Sequence, residues 1–297
     1  MTEQNIRLGI VLMLLTNFVF ALQDGISRHL AGEYNVLMVV MVRYWFFAAF
    51  VLTISARKAG GLRAVARTRH PFLQPFRGVL LVGEICVMVT AFVLLGLVES
   101  LAVFAAYPLL VAAFSGVVLS EHVGWRRWVA IAVGFIGILI ILKPGVGVFS
   151  PYAVVPLLSA TMFALYSLLT RYVSREDSAA TSFFWTGIAG AVAITCVGIW
   201  SWEGMAARDW LWMAGLCISG ALGHWLLIRV YEVAEASAVQ PFAYFHLVFG
   251  AAVGVLAFGE SIEANVVIGA AIVVAAGLFT LWRERQRKQQ SDLAETP

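Results

Sequence analysis

Five ionisable side chains interrupt long apolar runs: Asp24, Arg43, Glu84, His224 and His246. At the centre of a membrane helix such a charge costs at least about 2.5–3.5 kcal/mol, so each should face a cavity or a partner. Height follows from a rise of about 1.5 Å per residue. On that count Asp24 stands roughly 24 Å above Leu8 and Arg43 roughly 10 Å below Val36, which allows an Asp24–Arg43 pair. Arg28, four residues on, is the competing partner for Asp24, and Arg43 could instead snorkel outward. Glu84, His224 and His246 fall on a lower tier, roughly 9 to 13 Å above the inner face, with Glu84 too low to meet Arg43. A carboxylate and imidazoles at one level could carry a proton, because burial and mutual charge move their pKa values toward neutrality. The plainer reading of either histidine is a hydrogen bond to a neighbouring helix, worth about 1 kcal/mol.

Aromatic residues form a second set of candidates. Tyr44, Tyr107, Tyr166, Trp185, Trp225 and Tyr244 lie within apolar runs or border a proline. A ring face with a polar tip suits an aromatic or amphipathic ligand; packing on helices or lipid is the alternative for each. Tyr107 beside Pro108 and Tyr244 after Pro241 stand out, since a proline frees a backbone carbonyl that a neighbour, water or ligand must satisfy. Glu121 and Glu260 close their helices at membrane boundaries and read as gate or turn carboxylates, or as interfacial end-caps. Cys86, Cys196 and Cys217 all sit in apolar runs, with no CxxC or Cys/His cluster, so neither a disulfide framework, a metal nor a cofactor is expected.

The elements that carry these residues are membrane helices. Of the 297 residues 61% are hydrophobic and only 12% charged, and the mean hydropathy is +0.89. Soluble domains carry about 25% charge. Apolar runs of spanning length fall near 8–30, 36–55, 77–97, 101–120, 127–142, 152–172, 180–200, 210–231, 237–259 and 264–282. The fold expected is an all-α polytopic membrane protein with ten transmembrane helices. With the N-terminus inside, all 20 Lys and Arg except Arg28, Lys143, Arg208 and the intrahelical Arg43 fall on the cytoplasmic side. Both termini are therefore expected in the cytoplasm, across a plasma (inner) membrane.

The stretch Leu14–Glu33 returns as Leu157–Glu176 at a constant offset of 143 residues, with Leu14, Leu15, Phe20, Ala21, Leu22, Arg28 and Glu33 repeated identically. Five helices per half is odd, so the second copy enters from the opposite face. The halves, 1–145 and 146–283 with a charged tail at 284–297, read as inverted-topology repeats. That arrangement is characteristic of secondary transporters with a site between the repeats. Gly134 and Gly137, with Gly269 and Gly277, allow close helix approach and are expected to support the core or a homodimer contact.

A weaker echo joins Tyr107-Pro108-Leu109-Leu110 and Val118-Leu119-Ser120-Glu121 to Pro241-Phe242-Ala243-Tyr244 and Ala257-Phe258-Gly259-Glu260. With ten helices in inverted halves, this resembles the drug/metabolite transporter superfamily, in its ten-helix EamA-type branch. There a proline precedes a small, apolar helix ending in a Gly-Glu or similar pair, once per half. Ser120 departs from the usual Gly, and Leu247 stands at the spacing of Pro108. The resemblance implies a small-molecule carrier working by alternating access. It looks closest to bacterial exporters of amino acids, aromatic ones included, while sister branches import nucleoside-like or cofactor-like metabolites.

Other classes fit less well. No HExxH, nucleophile elbow, catalytic carboxylate pair or GxxxxGK[ST] run occurs, which argues against an enzyme or an ATP-driven pump. No nucleic-acid partner is expected. A passive channel is the remaining alternative.

Overall fold

The computed structural model describes residues 6–57, 60–118, 124–142, 152, 154–234 and 239–294. Among them the secondary structure is helical throughout: α1 (Ile6–Glu33), α2 (Val36–Ala56), the short α3 (Gly61–Ala66), α4 (Leu73–Leu95), α5 (Leu97–Phe104), α6 (Tyr107–Val118), α7 (Trp125–Leu142), α8 (Val154–Val173), α9 (Ala179–Gly198), α10 (Asp209–Val233), α11 (Phe245–Phe258) and α12 (Ala264–Ala294). Nine described helical stretches are long and apolar enough to cross a membrane, with α5 and α6 counting together, and Trp128–Leu142 of α7 is a shorter tenth. Exposed rings gather at both ends of the bundle. Trp200, Trp202, Trp210 and Trp212 lie at one end, and Phe72, Trp125, Trp128 and Trp282 at the other, as expected of interfacial belts.

Helix starts are set by matching residues in the two halves. Asn35 Oδ1 accepts the Leu37 N–H at 2.9 Å to cap α2. Ser178, at the repeat offset, accepts the Thr181 N–H at 3.1 Å to cap α9. The halves interlock rather than sit side by side. Helix α1 packs on α10 and α11 of the second half, and its copy α8 packs on α4 and α6 of the first. Between them α2 lies on α9 and α7 on α12. The exchange is what two inverted repeats related by a pseudo-twofold axis produce.

The fourth and ninth crossings are both broken. A turn at 105–106 separates α5 from α6, just before Pro108. A 3-10 stretch, Gln240–Tyr244, holds Pro241 and precedes α11. Irregular backbone at this depth is tolerated where it lines a cavity or is buried in protein. Asn17 meets that need in the second half by donating from Nδ2 to the Phe242 carbonyl at 3.0 Å.

The glycines of α7 and α12 face each other inside the chain. A Cβ on Gly137 would sit 2.8 Å from the Gly269 carbonyl oxygen, and one on Gly269 would sit 2.5 Å from that of Gly137. Gly134 is covered by Leu109, and Gly277 by the Tyr244 hydroxyl. These small residues support the core, packing α7 on α12 within the chain.

Candidate functional site

A cavity of about 410 Å³ opens between the two halves. Its floor and walls come from α1, α2, α4, the α5–α6 break, α8, α10 and the break before α11. Of the candidates named from sequence, Asp24, Arg43, Glu84, Tyr107, Pro108, Tyr166, His224, Tyr244 and His246 line it. Phe20 and its repeat partner Phe163 line it as well, together with Phe104. Phe163 packs edge-on to Tyr107, with centroids 4.9 Å apart, and lies 5.4 Å from Phe104 and 6.0 Å from Tyr166. One wall is therefore a continuous aromatic surface. The Tyr244 ring lodges its hydroxyl against Gly277, where no Cβ would fit.

The charged wall differs from the pairing expected. Asp24 does not meet Arg43; its Oδ2 is 2.9 Å from His246 Nε2. Glu84 and Arg43 line the same cavity. Heights counted along separate helices ignore tilt, and the 3-10 stretch before His246 rises about 2.0 Å per residue rather than 1.5 Å. Glu84 is 4% exposed and accepts a hydrogen bond from Ser159 Oγ at 2.6 Å. His224 turns Nδ1 to its own helix, 2.8 Å from the Gly220 carbonyl oxygen, and packs its ring against Phe20 and Phe47.

Three aromatic candidates lie elsewhere. Tyr44 is buried against Gly190 and borders only a small adjoining recess. Trp185 donates Nε1 to the Ala66 carbonyl at 3.1 Å, far from the cavity wall. Trp225 is 48% exposed on the outer face of α10, where a membrane protein meets lipid. A helix has several faces, and apolar sequence around these rings does not say which one points inward. Glu121 lies outside the described residues.

Glu260 closes one end of the bundle. Its two oxygens accept the N–H groups of Leu97 and Val98, each at 2.8 Å, at the start of α5. The same carboxylate pairs with Arg28 of α1, whose guanidinium lies 4.1 Å over the Phe258 ring. Free N–H groups and the helix dipole make a helix start a natural carboxylate seat. Gly96, at φ 88°, and Gly254 give the carboxylate room: a Cβ on either would come within 2.6–2.7 Å of it. Only a glycine takes that φ without strain.

The other end is held by Asp177 and Arg77. Asp177 accepts from the Thr68 hydroxyl, from the Arg69 N–H at 2.9 Å and from Gln74 Nε2 at 2.8 Å. Burial opposes its ionisation, but the hydrogen bonds from Arg69, Gln74 and Thr68 outweigh that and hold its carboxyl below the usual range. Arg77, expected in a cytoplasmic loop, is instead 1% exposed inside α4. It donates to the Gln74 side chain and to Thr170 Oγ1 at 2.7 and 3.0 Å, and lies 5.0 Å over the Tyr166 ring. The hub therefore reaches the cavity wall.

Sequence reasoning overlooked Asn17, Ser159, Arg77 and the phenylalanine surface. Ser159 matches Thr16 in the repeat and Phe163 matches Phe20, so the repeat itself held the signal.

Comparison with known proteins agrees with this architecture. Residues 7–143 and 151–282 each match the EamA-like transporter family. The chain is 26% identical over 94% of its length, and 94% of the relative's, to the S-adenosylmethionine uptake transporter of Rickettsia prowazekii. It is 27% identical to the riboflavin transporter of Vibrio cholerae, covering 96% of this chain and 97% of that one. One solved crystal structure superposes with a TM-score of 0.60 at 18% identity, covering 92% of this chain and 94% of the other, which speaks to the fold. Two interlocked five-helix repeats around a central cavity, each matched by the family in its own half, make the chain a multi-pass membrane protein of the EamA-like transporter family, within the drug/metabolite transporter superfamily.

Proposed function

We propose that this protein carries a ring-bearing, cofactor-like metabolite across the plasma (inner) membrane by alternating access, with both termini in the cytoplasm. The observation that carries the reading is the cavity wall. A continuous surface of Phe104, Tyr107, Phe163 and Tyr166 shares a cavity of about 410 Å³ with Asp24, Arg43, Glu84 and His246. Planar rings stack on aromatic faces, and charged groups of both signs suit a polar appendage. The volume falls in the range of about 300–1,000 Å³ typical of small-molecule sites. Relatives named for S-adenosylmethionine uptake and riboflavin transport favour this class over amino-acid export, the main expectation from sequence.

In this reading Glu260 with Arg28 acts as the gate on the outer side, and the Asp24–His246 pair couples transport to protons. Direction follows the gradients, since no residue encodes it. The test is flux in proteoliposomes holding the purified full-length chain, with S-adenosylmethionine, riboflavin and tryptophan as solutes, with and without a pH gradient. Saturable flux and trans-stimulation for a cofactor-like solute are expected. Saturable tryptophan flux with neither cofactor-like solute moving would overturn the substrate class, and flux without saturation would make the protein a channel.

A further inference from the structure

The ionisable groups around the cavity are unequally satisfied. Asp24 holds His246, Glu84 holds the Ser159 hydroxyl, and His224 is engaged by its own helix. Arg43 makes no hydrogen bond and no ion pair with any described residue. A guanidinium stays charged and offers five donors in a planar fork. At this depth a charge with no bonded partner costs at least about 2.5–3.5 kcal/mol, so an anionic group docked on it would relieve it.

On one side Arg43 lies close to α10, where a Cβ on Gly220 would sit 3.7 Å from its Nε. Arg43 also borders both the main cavity and the adjoining recess, which links it to the aromatic wall on one side and His224 on the other.

We propose that Arg43 docks an anionic group, carboxylate or phosphate, of the transported molecule while its ring lies on the aromatic wall. Bonding already in place selects this sign: Asp24 and Glu84 each hold a donor, His246 and the Ser159 hydroxyl, whereas the Arg43 guanidinium holds no acceptor among the described residues. The inference rests on the carrier reading above and narrows its substrates to those with an anionic appendage.

The test measures ligand-induced thermal stabilisation of the full-length chain in detergent, using pairs that differ in one anionic group. The pairs are S-adenosylmethionine with its decarboxylated form, riboflavin 5′-phosphate with riboflavin, and tryptophan with tryptamine. In at least one pair the anionic member should bind about tenfold tighter, equivalent to about 1.4 kcal/mol. Which pair responds tells carboxylate from phosphate. Arg43→Gln should bring the members within about twofold of each other, and Arg43→Lys should keep part of the preference. Without ligand, Arg43→Gln should melt no lower than the wild type, because no hydrogen bond or ion pair to a described residue is lost with the charge; a structural arginine would lower the melting point. A preference that survives Arg43→Gln, or none in any wild-type pair, overturns the proposal. If only the tryptophan pair responds, and does so through Arg43, the cofactor-like class fails and the anion site stands. Binding of the cofactor-like solutes that ignores their charge overturns the anion site and leaves the cofactor-like class standing.

Discussion

Helices α1 and α8 are two copies of one stretch, yet their polar groups have been put to different uses. Asp24 of α1 reaches across to His246, while Ser167, at the same place in α8, folds back onto its own helix, bonding the Phe163 carbonyl at 2.8 Å. Thr16 bonds its own Leu12 carbonyl at 2.7 Å, whereas Ser159 reaches out to Glu84. The Ser27 hydroxyl is buried with no hydrogen bond, and its counterpart Thr170 receives Arg77. Even the turn residues diverge: Tyr34 donates to Asp209 at 2.6 Å, and Asp177 accepts from three donors. Apolar positions kept the pair alike because packing demands shape. The hydroxyls recur but take different partners, and Asp24 stands opposite Ser167 in the repeat, which gives a duplicated scaffold two chemically distinct sides.

The comparison can be broken at its strongest point first. Glu260→Ala strips Arg28 of its partner and leaves two α5 N–H groups without an acceptor. The pair is partly buried, so its loss should cost between the about 1 kcal/mol of an exposed pair and the about 3–5 kcal/mol of a buried one, read as a lower melting temperature of the purified protein. A change under about 1 kcal/mol, the worth of an exposed pair, would make the Arg28 end of α1 no more specialised than a surface contact.

Asp24→Asn against Ser167→Ala tests the midpoint of the two helices. A hydrogen bond to a charged group is worth about 1.5–3 kcal/mol, so Asp24→Asn should slow proteoliposome flux about tenfold or more and flatten its dependence on pH. Ser167→Ala removes only a bond within its own helix and should leave flux within about twofold. Equal effects would erase the functional difference between the copies.

The smallest effect is expected at the turn after α8. Asp177 titrates below its ordinary range in the folded chain, so its stabilisation is present above the unfolded value of about 3.9 and is lost as pH falls through the folded value. Asp177→Asn should therefore melt below the wild type at pH 7, with the gap closing as pH drops below about 4. A gap independent of pH would assign the turn's stability to shape rather than charge.

The helix inventory and the repeat were legible in the chain because hydropathy and duplication are carried by many residues at once. Asn35 and Ser178 cap equivalent helices at the same offset, a purely local signal. The partners inside the cavity were not legible. Whether Asp24 meets Arg43 or His246 depends on helix tilt and on a 3-10 stretch, which no periodicity reports. Arg77 read as a loop cation because it stands at an apolar boundary, and only the fold shows Gln74 and Thr170 waiting for it. Trp225 and Tyr166 look alike in sequence, and the rotation of their helices alone separates a lipid-facing ring from a cavity-lining one.

The carboxylate of Glu260 touches α1, the start of α5 and the glycines at 96 and 254 together. A seal hung on one group does not loosen gradually. Withdrawing that carboxylate would release all of these contacts at once, so under the gate proposed above this end of the bundle would have two states and little between them. Bistability of this kind keeps a carrier from leaking: cargo must favour one state over the other by enough free energy to throw the whole latch.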